Sequence, residues 1–335
     1  MLAPPDSSTT VGTTLRSLGY HGGMSEARQH REGRPGVVAL AAIAPIWGYS
    51  WVVSKVALGY AGPLTFIALI TAAGTGCLFV VLAATRRSLR PPPLRWTIPI
   101  GLLQTALFNV LATLALSVGG AGRVSVLVYT MSFWLLLLAW PFLGERLRGL
   151  QWPAVGLAFA GLVLVVRPWD IGDALGGVLA VLAGLSWAAG ALLVKLMECR
   201  IEADVLALTT WQLAAGAVTL CAVAVLTQSG WPHWTGTFWL CVAYSALLAT
   251  ALSVGLWVVA LSSLPASAAG LGTLAVPVVG VAASWLQLGE RPAGVEAAGM
   301  VLIIAALALL AAHGLLGGGA GRASAGGYCL PPVID

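Results

Sequence analysis

Apolar residues in this chain gather into long runs, separated by breaks of a few residues. Ten such runs can be read: about 36–57, 63–85, 96–117, 121–143 and 150–167, then about 174–197, 204–227, 236–261, 265–288 and 293–314. Each approaches the about 20 apolar residues that a helix needs to cross a bilayer. The breaks are short, except for the prolines Pro91–Pro93 and the segment 228–235. The pattern therefore predicts an all-α integral membrane protein of ten transmembrane helices, with neighbours in sequence packed as neighbours in space. The two ends differ. Residues 1–35 are polar, basic and without the apolar core of a signal peptide, and are expected to be a disordered tail in which Met24 offers a second start. Residues 315–335 are rich in Gly and Ala and are expected to be a second disordered tail.

Composition removes the alternatives. The chain is 59% apolar and 9% charged, against about 25% charged in soluble domains. That excludes a soluble enzyme, a disordered protein and a coiled coil. A net charge of +5 could suggest nucleic acid, but its distribution does not. Thirteen of the 17 Lys and Arg residues fall in the N-terminal tail, the 2–3 loop and other segments on one side of the ten runs. Only Lys55, Arg123, Arg167 and Arg291 fall on the other. Cytoplasmic loops carry the excess of cations, so both termini are expected in the cytoplasm, with no nucleic-acid partner. The five cysteines are scattered, without metal or redox spacing.

The two halves repeat each other. LGER (143–146) recurs at 288–291, Trp47 and Lys55 in WGYSWVVSK match Trp187 and Lys195 in WAAGALLVK, and ITAAGTG (70–76) lies against QLAAGAV (212–218). The offsets are 145, 140 and 142 residues, in the same order along the chain. Such self-similarity marks a duplication, with units at 36–167 and 174–314. Each unit has five runs, an odd number, so the second copy enters the membrane upside down. Inverted repeats of this kind are characteristic of secondary transporters, with the site at the repeat interface.

These blocks, together with YTMSFWLLLLAWPFLGERL in the fourth run and VPVVGVAASWLQLGER in the ninth, resemble the EamA repeat of the drug/metabolite transporter superfamily. The resemblance covers about residues 36–314. It implies that runs 1–4 and 6–9 surround a central cavity, with runs 5 and 10 outside, and that the chain moves metabolites, often outward, across the bacterial inner membrane. The sequence departs from the family pattern twice. Ile70 stands where an Arg often follows the opening proline of the second run, and Ser132 stands where a proline matching Pro277 is usual, with Pro141 later.

No Asp, Glu or His lies near the middle of any run, which argues against the buried carboxylate of a proton relay. Glu296 and His313 sit toward the ends of the tenth run. The candidates for the substrate pathway are otherwise neutral or aromatic: Trp47, Trp51, Ser54, Gln104, Asn109, Tyr129, Ser132, Trp187, Tyr244, Trp257 and Thr273, with Lys55 and Lys195 at the mouths. For the hydroxyls, bonding back to their own helix is the competing role. For the tryptophans it is helix packing, and for the lysines it is snorkelling to the interface. Pro45, Gly48 and Pro277 are hinge candidates. Glu145, Arg146, Glu290 and Arg291 read as helix-end anchors, and Gly156-x3-Ala160 and Gly294-x4-Gly299 as close-packing sites.

No HExxH, intramembrane-protease motif, Cys/His cluster or deep carboxylate pair is present, so neither enzyme activity, a metal nor a cofactor is expected. The reading is a carrier, more an exporter than an importer, for small neutral, zwitterionic or amphipathic metabolites such as amino acids. Lipid surrounds it, and a homodimer through the peripheral helices is a further expectation. A non-transporting scaffold, sensor or channel is the alternative.

Overall fold

A computed structural model describes residues 14–317, apart from 145–146, 148, 168, 170, 228–229, 264–272, 274 and 293; side chains are described from residue 35, except those of 171–173, 261 and 314–317. Among the described residues every regular element is a helix and there are no strands. Helix α1 spans Thr14–Ala57, α2 Pro63–Ala84, α3 Leu94–Ile100, α4 Phe108–Val118, α5 Ala121–Val128, α6 Met131–Leu143 and α7 Gln151–Val166. The second half supplies α8 (Ile171–Glu198), α9 (Val205–Leu226), α10 (Gly236–Ala243), α11 (Ser253–Ser263), α12 (Ala275–Leu288) and α13 (Gly294–Gly317).

Among the described residues, eight segments are long and apolar enough to cross a membrane, while α7 and α12 are apolar but shorter. The start of the expected ninth run lies outside the described residues, which leaves α12 with 14 residues. The apolar part of the first span begins at Pro35, and helix α1 is described from Thr14. A helix can extend into a polar segment because its hydrogen bonds are internal to the backbone.

Local sequence explains the helix boundaries. Pro63 opens α2, the position where its missing N–H costs nothing. Asp204 and Thr235 cap α9 and α10 by accepting from Ala207 N and Phe238 N. The repeated LGER motif is a helix stop. Gly144 and Gly289 take φ values of 69° and 68° after α6 and after α12, a left-handed conformation that glycine adopts without penalty.

Two features were not legible in the sequence. Residues Gly101–Leu107 join α3 to α4 as a π-helical stretch, and Tyr244–Leu252 join α10 to α11 in the same way. The two stand at matching places in the two halves. Pro99 precedes the first but no proline precedes the second, so proline is not their common cause. Carbonyls of both stretches take side-chain donors: Asn109 Nδ2 and Ser186 Oγ donate to Thr105 O and Leu103 O. Thr250 Oγ1, Ser253 Oγ and Trp47 Nε1 donate to Ser245 O, Leu248 O and Ala249 O.

Helix packing follows the repeat. Helix α1 packs on α11 and α12, and its counterpart α8 packs on α4 and α6. Helices α2 and α9 face each other, as do α7 and α13. The α7–α13 crossing is set by Gly161 and Gly299: a Cβ on either would lie 2.6 or 2.8 Å from the other's carbonyl oxygen. Gly156 and Gly294, expected at such a crossing, face open space instead.

Candidate functional site

A cavity of ≈ 300 Å³ lies between the two halves. Helix α1 brings Trp47, Ser50, Trp51 and Ser54 to its wall, and α8 brings Trp187. Three of these lie at i, i+4 and i+7 on α1, one face of a helix. Helix α2 contributes Ile67 and Ile70, α4 contributes Phe108, Asn109, Ala112, Thr113 and Leu116, and Val128, Tyr129 and Met131 close the α5–α6 side. Ser245, Ala249 and Thr250 come from the second π-helical stretch. No charged side chain belongs to this wall among the described residues.

Four of the wall's polar side chains are engaged with the backbone, while Ser245 Oγ is buried there without a hydrogen-bond partner among the described residues. Ser50 Oγ donates to Trp47 O at 2.6 Å, Asn109 Nδ2 to Thr105 O at 2.7 Å and Thr250 Oγ1 to Ser245 O at 2.9 Å. Trp47 Nε1 donates to Ala249 O at 3.0 Å, which fixes the indole between α1 and the π-helical stretch. Trp257 stands behind it with ring centroids 6.1 Å apart. Such bonds matter because an unsatisfied donor away from water is costly; the hydroxyls of Ser54, Thr113 and Tyr129 stay on the wall among the aromatic rings.

The structure brings together Trp47, Trp51, Ser54, Asn109, Tyr129 and Trp187 from the expected pathway residues. The others lie off this wall. Gln104 packs over Gly190 of α8, where a Cβ would lie 2.3 Å from its Cγ. Tyr244 donates its hydroxyl to Ile46 O at 2.8 Å and packs edge-on to Tyr49. Thr273 O accepts from Val276 N at the start of α12. Ser132 and Lys195 do not reach the cavity.

Of the hinge candidates, Pro45 is exposed within an unbroken α1. Gly48 is a helix crossing: a Cβ there would meet Val279 Cβ at 2.5 Å and Val276 O at 2.9 Å. Pro277 is buried within α12. The sequence reading missed Ile67, Phe108, Ala112, Ser245, Ala249 and Thr250 as wall residues. Small and aliphatic side chains carry no mark that separates a cavity wall from ordinary packing. Ile70 could have been found, since it had already been noted as the replacement for a family arginine.

A second cavity, ≈ 340 Å³, has the opposite character. Arg123, Arg167, Arg291, Glu290 and Glu296 line it with Gly120, Gly122, Val281, Ser284, Pro292 and Met300. It gathers three of the four cations that the sequence assigns to the cation-poor side. Arg123 is 6% exposed. It donates from Nη2 to Val166 O at 3.2 Å, and its Nε lies 3.9 Å from Glu296 Oε1. Glu290 accepts from Ala121 N at 2.9 Å and Gly122 N at 3.1 Å, at the N-terminus of α5. Lys55 does not snorkel away. Its Nζ donates to Leu116 O at 2.6 Å and Gly119 O at 2.8 Å, the C-terminal carbonyls of α4. Glu145 and Arg146 lie outside the described residues.

Comparison with known proteins agrees with this architecture. The EamA-like transporter family matches residues 34–167 and 174–312. A protein of Salmonella typhimurium named probable amino-acid metabolite efflux pump is 30% identical over 82% of this chain and 93% of its own. The uncharacterized transporter YoaV of Bacillus subtilis is 28% identical over 76% of this chain and 89% of its own. A solved crystal structure of a protein is similar in fold, with a TM-score of 0.59 and 19% identity, over 84% of this chain and 97% of that one. With both halves matched and eight helices able to cross a bilayer, the chain belongs to the EamA-like transporter family, as a multi-pass protein of the bacterial inner membrane.

Proposed function

We propose that the protein is an alternating-access secondary transporter that exports small neutral, zwitterionic or amphipathic metabolites such as amino acids. The observation that carries this is the uncharged, tryptophan-walled cavity between the first helices of the two repeats. A cleft of this size fits a small solute, and aromatic faces bind apolar and planar groups without a fixed charge. The reciprocal packing of α1 and α8 supports ten spans in two inverted units, with Ala275–Leu288 as the visible part of the ninth. The sidedness of the cations supports cytoplasmic termini. Relatives named as amino-acid metabolite efflux pumps support the substrate class, while one named riboflavin transporter shows that a larger ring system also falls within the range of relatives.

On this reading the chain carries its solute unchanged and performs no chemistry on it. The pathway residues are Trp47, Trp51, Ser54, Asn109, Tyr129 and Trp187. A homodimer would use the peripheral pair α7 and α13, where Trp152, Phe159 and Val301 are exposed. The test has two steps. Metabolite profiling of medium from overexpressing and empty-vector cells identifies the exported compound, and counterflow in proteoliposomes then checks it. Saturable counterflow is the expected result; its absence across every compound so identified rejects the reading.

A further inference from the structure

The turn between α4 and α5 is held from both sides by opposite charges. Lys55, at the end of α1, donates to Leu116 O and Gly119 O, which belong to the C-terminal end of α4. Glu290, just past α12, accepts from Ala121 N and Gly122 N at the N-terminal end of α5. Each charge meets the helix end it suits, because a helix carries partial negative charge at its C-terminus and partial positive charge at its N-terminus. All four bonds have one charged partner, the stronger class of hydrogen bond. One turn is thus pinned to α1 by a cation and to α12 by an anion.

The turn also has a cavity on each flank. Leu116 and Ser54, beside the Lys55 contact, line the central cavity, while Gly120 and Gly122 line the charged one. Gly120 has no positive φ and is small for another reason. A Cβ there would lie 2.9 Å from Glu290 Oε2 and 3.1 Å from its Cδ, so only glycine lets the carboxylate seat. Gly122 fits against Ser284 in the same way, with a Cβ position 2.5 Å from Ser284 Oγ. Sequence alone offered Lys55 as a snorkelling residue or one at a mouth of the pathway, and Glu290 as a helix-end anchor. Their geometry joins them on one seven-residue segment, 116–122.

We propose that Lys55 and Glu290 are a gating pair: they lock the α4–α5 turn over the external end of the central cavity, and each transport cycle must release them. The proposal rests on the carrier reading and its topology, and both residues act by positioning the turn rather than by touching the solute. Opening that end requires the turn to leave α1 and α12, and the four charge-assisted bonds are what hold it there. Arg123 and Arg291 line the same charged cavity as Glu290, so cations remain near its carboxylate when the turn moves away.

The test measures access to the cavity without any solute. Ser54→Cys is introduced after the five native cysteines are changed to serine, and its modification by a membrane-impermeant methanethiosulfonate reagent is timed in spheroplasts and in inverted vesicles. Glu290→Gln is expected to raise the rate about tenfold from the external face and leave the cytoplasmic rate unchanged. Lys55→Met and Gly120→Ala should do the same. The last removes no charge, and a thermal melt selects the variants that remain folded. An equal rise from both faces, a rise confined to the cytoplasmic face, or no change in the folded variants overturns the proposal. Because no flux is measured, a chain that fails counterflow can still pass this test, so the two readings fail separately.

Discussion

The central cavity and the charged cavity enclose ≈ 300 and ≈ 340 Å³, and they treat polarity in opposite ways. Around the first, Ser50, Asn109, Thr250 and Trp47 donate to backbone carbonyls, and rings make up much of the remaining surface. Around the second, three arginines face two glutamates. Ion pairs placed where helices end lie nearer water and lose less solvation than they would at mid-membrane. The lesson is a division of labour. On the proposed carrier reading, an uncharged wall can release a solute without breaking a strong electrostatic bond. The charged one fastens helix ends to each other.

The comparison can be broken most forcefully by adding charge to the wrong cavity. Ile70→Arg puts a guanidinium on the central wall, and a charge at mid-membrane costs about 2.5–3.5 kcal/mol. Counterflow of a neutral solute should then fall on the order of 100-fold, with an anionic analogue gaining relative to it; equal flux before and after contradicts the uncharged-wall account. Removing charge from the other cavity should act on stability instead. Arg123→Met removes the buried cation 3.9 Å from Glu296 and its bond to Val166 O, and breaking a buried pair from one side is strongly destabilising. The melting temperature in detergent should drop by roughly 5 °C while the order of preference among solutes is kept; a changed preference would show that the two cavities are not separate.

Trp187→Ala removes one of the aromatic faces and should weaken apparent solute affinity about tenfold. The loss should be larger for aromatic than for aliphatic solutes in a competition assay, and equal losses would assign the residue to packing. Asn109→Ala is the smallest expected effect. One of its amide N–H groups is committed to Thr105 O, which leaves the other N–H and the amide oxygen to a solute. A change of about two- to threefold in affinity is expected, measured by the same competition; a tenfold loss would mean that the amide leaves its helix to bind solute.

Parts of this architecture were legible from sequence because they rest on chemistry that only some residues supply. Long apolar runs announce membrane helices, and the glycine of LGER announces a helix stop that appears as Gly144 and Gly289 at positive φ. The repeat pointed to Trp47 and Trp187, and both reach the cavity. Legibility ended where position depends on phase. Gln104 and Asn109 were both read as pathway candidates on the third run, but a π-helical stretch that the sequence does not announce contains the first and ends before the second. Only Asn109 lies on the wall. Ile67, Phe108 and Ala112 were invisible for a different reason: an aliphatic or aromatic residue looks the same facing a cavity, a neighbouring helix or lipid. Lys55 was read as a snorkelling or guiding side chain, since nothing in the sequence tells which backbone carbonyls will lie within its reach.

The paired π-helical stretches also carry a record of descent. A π-helical stretch bonds i to i+5 where an α-helix bonds i to i+4, so it stores an extra residue within a helix whose ends stay where they were. Two independent insertions would have had to choose the same helix and the same depth in both halves, at Gly101–Leu107 and Tyr244–Leu252. A single insertion in an ancestral unit, copied when the gene doubled, accounts for both. The phase shift is then older than the pairing of the two family-matched halves, and their divergence has since altered the side chains around it without removing it.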